Sequence, residues 1–443
     1  MDTPTQSALD AARPAGQAPS APPGSKRRTI IGTGIGNAVE WYDWAIYATF
    51  APFFAGQLFN NADPASAVLS TLAIFAVGFL ARPLGGFVFG WLGDRIGRKY
   101  SMTLAVGLAS LGSLLIAIAP TYAAMGALAS LTLLVARLIQ GLAHGGELPS
   151  SQTYLSEMAP PAKRGFWSTL IYFSGTIGII AGTLLGAVLT VVLSKEDMLA
   201  WGWRAPFLVG ALMGLYALIM RAGMKESEVF DSVSAAAQKR EPLWPQIVRH
   251  RKQALQVIGL TVGGTVVYYT WGVLAPTYAA TTLGIDRGAA LWSGVIANLV
   301  FLVALPLWGK LSDRIGRKPV MWVGMIGAAV MHFPMTWLLK DSPWQLVVSM
   351  SVMLIFIAAS AGIMPALYAE LFPTSIRTVG VGVPYSLCVA IFGGTAPYLN
   401  VWLTTAVGPN AFAFYTVALL TVSILFIFTL PETKGKDLHE AED

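Results

Sequence analysis

Runs of 20 or more predominantly apolar residues follow one another along almost the whole chain, separated by short hydrophilic segments. A helix needs roughly 20 such residues to cross the hydrocarbon core of a bilayer. There each backbone group must find its hydrogen bond inside the protein. The pattern predicts an all-α membrane protein with twelve transmembrane helices, at about 30–55, 67–92, 101–119, 122–147, 166–193, 202–221, 254–282, 289–309, 319–339, 344–369, 378–404 and 410–430. Only 12% of the 443 residues are charged, against about a quarter in soluble proteins. Gly (45) and Pro (26) are abundant, as is common in membrane helices.

The formal net charge of +6 raises the question of nucleic acid, and the placement of the charges argues against it. With both ends on one side, that side collects Lys26, Arg27, Arg28, Arg95, Arg98, Lys99, Lys163, Arg164, Arg249, Arg251, Lys252, Arg314, Arg317, Lys318, Lys434 and Lys436. The opposite loops hold Lys195, Arg287 and Lys340. This is the positive-inside pattern. It predicts an integral protein of a bacterial-type inner membrane with cytoplasmic termini. The expected partners are membrane lipids and a small molecule. The single cysteine, Cys388, leaves no intrachain disulfide and no cysteine metal cluster. Residues 1–28 read as a disordered cytoplasmic tail, since the first 25 are rich in Ala, Pro and Ser. A signal peptide is not expected. The first apolar segment is too long for a signal core and contains Glu40 and Asp43.

The chain repeats itself. GWLGDRIGRK (Gly90–Lys99) returns as WGKLSDRIGRK (Trp308–Lys318), with the RIGRK strings 219 residues apart, about half the chain. YLSEMAPPAKRG returns as YAELFPTSIR, and both place an arginine seven residues after a glutamate: Glu157 and Arg164, Glu370 and Arg377. Such duplication implies two six-helix bundles of like design with a binding site between them near the midplane. The bundles fall at 29–221 and 254–430, a cytoplasmic linker at 222–253 and a cytoplasmic tail at 431–443.

These strings carry a family resemblance. The loop motif after the second span, its copy after the eighth, and PETKG (Pro431–Gly435) resemble the major facilitator superfamily. GNAVEWYDW, GFLARPLGG, RLIQGLAHGGE and WGWRAPF resemble more narrowly its metabolite:proton symporter family, over about residues 28–436. The resemblance implies a two-bundle transporter driven by proton symport. The family includes carriers of Krebs-cycle acids, aromatic acids and zwitterionic osmolytes.

Two sets of charges stand out. Asp94, Arg98, Glu157, Arg164, Asp313, Arg317, Glu370, Arg377 and Glu432 lie at predicted cytoplasmic helix ends. They read as ion pairs that latch the bundles on the inner side, a role the resemblance also implies. The plainer alternative is local packing and topology. Gly90 and Gly97 would allow the tight turn that brings Asp94 to its arginines. The second set, Glu40, Asp43, Arg82, Arg137, His144 and Glu147, lies deep in predicted spans. Ionisable groups there are costly, and a functional role is the default reading. Asn37, Glu40, Tyr47 and, slightly offset, Asp43 follow one side of the first helix. Arg137, Gln140, His144 and Glu147 form one stripe of the fourth. Arg82 lies twelve residues before Asp94, about 18 Å from the inner end at 1.5 Å per residue.

Asp43, Glu40 and Glu147 are the candidate proton carriers, with His144 a relay. The alternative is a permanent ion pair, such as Glu147 with Arg137. Arg82 and Arg137 suit an anionic substrate because the guanidinium fork matches a carboxylate. Arg82 could instead cap the Phe79 carbonyl that Pro83 leaves without a donor. Gln140, Tyr47, Tyr268, Tyr269 and Asn298 complete the candidate substrate contacts. Arg204, near the outer surface, reads as an interface anchor rather than a vestibule guide. Gly175, Gly178, Gly182 and Gly186 on the fifth span, and Gly141, Gly145 and Gly146 on the fourth, read as close-packing positions.

There is no nucleophile motif and no metal spacing, so neither an enzyme nor a cofactor is expected. The proton is the coupling ion. The expectation is a monomeric symporter importing a small organic acid by alternating access. Osmolyte uptake, efflux, or a sensor on the same scaffold are the alternatives.

Overall fold

The computed structural model describes residues 23–59, 64–96, 98–145, 147–222, 248–373 and 376–438. These residues are helical almost throughout, with no strand among them. The first six spans comprise α1 (Pro23–Leu58), α2 (Pro64–Leu80) with α3 (Arg82–Ile96), α4 (Arg98–Ala117), α5 (Ala127–His144) with α6 (Glu147–Met158), α7 (Arg164–Val192) and α8 (Arg204–Ala222). The second six comprise α9 (Arg251–Tyr268) with α10 (Ala275–Thr282), α11 (Arg287–Ile315), α12 (Arg317–Leu338), α13 (Pro343–Leu371), α14 (Arg377–Cys388) with α15 (Gly394–Ala406), and α16 (Ala411–Phe428).

Among the described residues nine helices are long and apolar enough to cross a membrane, ten if the pair Lys195–Gly202 and Arg204–Ile219, bent by 41°, is one span. The remaining two spans are α4, whose apolar part is Thr103–Ala117, and α1, which is 36 residues long. The fold is the expected twelve-helix, two-bundle architecture. Large apolar side chains such as Phe87, Val191, Val303 and Phe428 stand exposed on the outside, as a lipid-facing surface requires. Helix α1 starts at Pro23, so residues 23–28 of the expected tail are helical, and residues 1–22 lie outside the described residues. Residues 223–247 of the expected linker also lie outside them.

Small residues set how closely the helices approach. A Cβ on Gly178 of α7 would collide with the Ala38 carbonyl oxygen of α1, and one on Gly145 would collide with the Arg82 carbonyl oxygen. Without a hydrophobic drive between lipid-bathed helices, such backbone proximity supplies the packing energy. Gly178→Val is expected to cost at least ~2 kcal/mol by overpacking. A thermal-unfolding midpoint in detergent equal to that of the unaltered protein would contradict this.

Prolines open the helices at chosen places. Pro276 cannot donate to the Gly272 carbonyl. The chain there widens into a π turn, Tyr269–Leu274. The Asn298 amide of α11 donates to that Gly272 oxygen at 3.2 Å, which restores the lost bond. Pro52 similarly frees the Ala48 carbonyl, and the Thr277 hydroxyl of the other bundle donates to it at 3.2 Å. A second π turn, Val389–Gly393, separates α14 from α15. Spans seven and eleven therefore both carry a π turn that lines the space between the bundles, through Tyr269 and Val389.

Candidate functional site

The buried charges of the first bundle form one network around α1. Glu40, Asp43, Arg82, Arg137, Gln140 and His144 are all buried. Arg82 Nη2 lies 3.4 Å from Glu40 Oε1. His144 Nε2 lies 4.0 Å from Asp43 Oδ2. Arg137 donates to Gln140 Oε1 at 2.6 Å, Gln140 Nε2 donates to Ser113 Oγ at 2.8 Å, and Ser113 donates to Asp43 Oδ1 at 3.0 Å. This relay ties Arg137 to Asp43 through two neutral side chains. The Arg137 guanidinium is sandwiched between the rings of Trp44 and Tyr47, 4.1 and 4.0 Å from their centroids. Arg82 lies over Trp44 and Phe79, at 4.3 and 4.2 Å. Aromatic faces stabilise cations where water is excluded, so the network holds two guanidiniums in an otherwise apolar bundle. Arg82 is turned to Glu40 and the Phe79 ring rather than to the Phe79 carbonyl.

A narrow cavity lies between the bundles. Trp41, Arg82 and Tyr172 line it from the first bundle; Tyr268, Tyr269 and Tyr385 line it from the second. Arg82 Nε is buried and has no hydrogen-bond partner. The guanidinium on this wall thus keeps a donor in reserve. Of the residues expected from the sequence to contact substrate, Arg82, Tyr268 and Tyr269 reach the cavity.

Arg137, Gln140, Tyr47 and Asn298 do not line it. Arg137 and Gln140 face Asp43 through Ser113, and Tyr47 donates its hydroxyl to the Thr71 carbonyl at 2.8 Å. Asn298 braces the π turn. The physical reason is common to all four: each side chain is engaged by a neighbour in its own bundle. Trp41, Tyr172, Ser360 and Met364 were not expected at the site. Trp41 is the one with a signal, since it directly follows Glu40 on the charged helix.

At one end the bundles are tied by ion pairs, those of Glu370 fully buried and that of Glu157 partly exposed. Glu157 of α6 accepts from Arg377 of α14 at 2.7 Å, and Arg164 of α7 donates to Glu370 of α13 at 3.1 Å. The two acid-to-arginine repeats therefore swap partners between the bundles. Arg317 adds contacts to Glu370 at 3.2 Å and to Asp313 at 2.8 Å. The Asp313 carboxylate also accepts from the backbone N–H groups of Gly165 and Phe166 at 2.7 and 2.9 Å, at the start of α7, where a helix favours an anion. Asp313 thus crosses the bundle interface as well.

The C-terminal segment threads the same place. Thr433 donates to Glu370 Oε2 at 2.6 Å, and the carbonyl of Lys436 accepts from Arg164 at 2.7 Å. Glu432 accepts from the N–H groups of Arg317 and Lys318, at 2.8 and 3.0 Å. Gly316, with φ 107, makes the turn that presents them, a conformation open to glycine alone at low cost. At the opposite end the bundles also meet, with Arg287 4.2 Å from the Phe53 ring centroid. The central cavity is held between these two sets of contacts.

Gly146 and the side chains of Asp94, Arg98 and Glu147 lie outside the described residues. Arg204 donates to the Ala119 carbonyl at 2.8 Å and lies over Trp203, tying α8 to the end of the third span. His332 accepts from the Trp271 indole N–H at 3.2 Å. It packs within the second bundle, against Trp271 and Phe333.

Comparison with known proteins agrees with this architecture. The family model for the sugar (and other) transporter matches residues 29–235 and 224–443. An alpha-ketoglutarate permease of Escherichia coli (strain K12) is 35% identical over 417 residues, covering 93% of this chain and 94% of that one. A putative proline/betaine transporter of Staphylococcus aureus (strain COL) is 33% identical, covering 93% and 90%. The shikimate transporter of E. coli (strain K12) is 32% identical, covering 94% and 95%. A solved D-xylose–proton symporter superposes with a TM-score of 0.74 at 20% identity, over 92% of this chain and 98% of that one. These proteins are transporters, not enzymes. With matching motifs, fold and relatives over nearly its whole length, the chain belongs to the sugar (and other) transporter family of the major facilitator superfamily.

Proposed function

We propose that this transporter imports a small organic acid together with protons, across a bacterial-type inner membrane, by alternating access. The observation that carries the reading is Arg82: a buried guanidinium on the wall of the inter-bundle cavity, with an unbonded Nε, balanced from behind by Glu40. A carboxylate entering the cavity competes with Glu40 for that guanidinium. A buried carboxylate deprived of its counter-charge favours its protonated form. Substrate and proton then bind as a pair, with Glu40 and Asp43 as carriers. The relatives named for alpha-ketoglutarate and shikimate support an acid substrate. The ion-paired end is the cytoplasmic one on the charge distribution, with both termini there, and the latch there closes the inner gate while the outer side loads.

A second reading is uptake of a zwitterion such as betaine or proline. Trp41, Tyr172, Tyr268, Tyr269 and Tyr385 surround the same cavity. Aromatic faces hold quaternary ammonium groups, and Arg82 would take the carboxylate. Relatives named for proline/betaine support it.

The test uses purified protein in liposomes, acidic outside, with labelled mono-, di- and tricarboxylates, shikimate-like and aromatic acids, betaine and proline. Protonophore-sensitive accumulation of an acid is the expected result. Uptake of betaine or proline alone selects the second reading. Accumulation indifferent to the pH gradient and to protonophore overturns proton coupling.

A further inference from the structure

The walls of the central cavity carry few charges and many rings. Among the described residues that line it, Arg82 alone has a charged side chain. Arg137, the other intramembrane guanidinium of this bundle, lies over the rings of Trp44 and Tyr47 and does not line the cavity. Arg82 is also already balanced, with Glu40 Oε1 3.4 Å from its Nη2. The pair therefore brings no net charge to the wall. The second bundle adds neither cation nor acid to the lining; it contributes tyrosines, small hydroxyl residues and Met364.

The rings meet across the bundle interface. Trp41 and Tyr172 of the first bundle both contact Tyr268 of the second, at centroid separations of 5.5 Å and interplanar angles of 87° and 75°. Trp41 spends its indole N–H on Asn37 Oδ1 at 3.0 Å, so its contribution to the wall is apolar. The cavity is narrow in this closed state, and a substrate must match its walls when it opens. A flat ring placed there exchanges these edge-to-face contacts for others of the same kind. Two buried donors have no hydrogen-bond partner, Arg82 Nε and the Tyr268 hydroxyl. A buried donor left unmade is costly, so a ligand that meets both is favoured.

We propose that the central site is built for one carboxylate: its substrate is a monocarboxylate whose remaining body is an uncharged ring bearing an oxygen substituent. The carboxylate takes the Arg82 fork, the ring lies among Trp41, Tyr172 and Tyr268, and the oxygen meets the Tyr268 hydroxyl. A second carboxylate would face rings and hydroxyls with no counter-charge, and burying an unpaired charge is strongly unfavourable. Tyr268 is thus a specificity-determining residue and the missing second cation is the filter against dicarboxylates.

The inference rests on the acid-uptake reading, and its test is binding to purified protein in detergent at neutral pH, where no gradient is needed. Meta-hydroxybenzoate and isophthalate share a ring and differ in one substituent, hydroxyl against carboxylate. The hydroxy acid is expected to bind more tightly than isophthalate, succinate or citrate, by about tenfold or more. Equal or tighter binding of any of the three overturns the proposal, as does tighter binding of betaine, or silence from the whole set. Tyr268→Phe should weaken meta-hydroxybenzoate by about tenfold and leave benzoate nearly unchanged; no difference between the two removes the hydroxyl from the site. Met364→Lys supplies a second cation and should tighten isophthalate by about tenfold. No gain in a variant that still binds the hydroxy acid overturns the charge count, and if that variant does not fold, the unaltered protein's preferences decide alone. Failure of proton-driven uptake with these preferences intact removes the coupling and leaves the substrate class; proton-driven uptake of a dicarboxylate does the reverse.

Discussion

Replacing Arg82 by lysine should raise the substrate concentration for half-maximal uptake by about 10–100-fold. The size follows from the loss of one charge-assisted hydrogen bond, about 1.5–3 kcal/mol. Lysine keeps the positive charge opposite Glu40, so insertion and folding should survive. It cannot reproduce the planar fork, and its ammonium is a single hydrated point charge. Arg82 sits between two rings and one carboxylate, which preorganise the guanidinium with Nε left over. The check is initial uptake against substrate concentration at fixed pH, with membrane abundance measured in parallel. An unchanged half-saturation constant would assign Arg82 to holding Glu40 alone.

The second large effect concerns the latch. Glu370 is fully buried and serves Arg164, Arg317 and Thr433 together. Glu370→Gln leaves two buried guanidiniums short of a counter-charge. Removing one partner of a buried pair typically costs about 3–5 kcal/mol. The Arg164 contact exists only while the bundles meet at this end, so much of that cost falls on the latched state. A differential of ~3 kcal/mol shifts a two-state ratio by about 150-fold. Net uptake should drop more than tenfold, and a cysteine placed at Ser168 should gain reactivity to thiol reagents. Arg377→Lys should do less, because its partner Glu157 is 35% exposed and solvent screens the pair. Wild-type uptake by Glu370→Gln would remove the latch from the transport cycle.

Much of this protein was legible in its residues. Apolar length specified the spans to within a few residues at most ends, because the bilayer imposes a fixed thickness and permits only helices or closed barrels. The repeated RIGRK and acid-to-arginine strings announced two like bundles. The glycine stripe of the fifth span identified its packing face, which proved to lie against α1. Glu40, Asp43 and Arg82 stood out because an ionisable group inside an apolar run is expensive to keep unless it serves a purpose there.

The rest depended on distances between elements remote in sequence. The spacing of Glu157 to Arg164 equals that of Glu370 to Arg377, and an equal spacing is silent on whether each acid keeps its own arginine or takes the other bundle's. Only the assembled pair of bundles decides for the swap. Arg137 and Arg82 look alike as intramembrane arginines; packing puts one between Trp44 and Tyr47 and the other on a cavity wall. Asn298 reads as a substrate contact in the sequence, and only the structure shows that its amide caps the carbonyl Pro276 frees. The sequence by itself determined the helices, the bundles and which charges must be accounted for, because those follow from local chemistry and a uniform solvent slab. The tertiary structure decided which charge meets which, because side-chain pairing across helices depends on rotation and depth that no periodicity encodes.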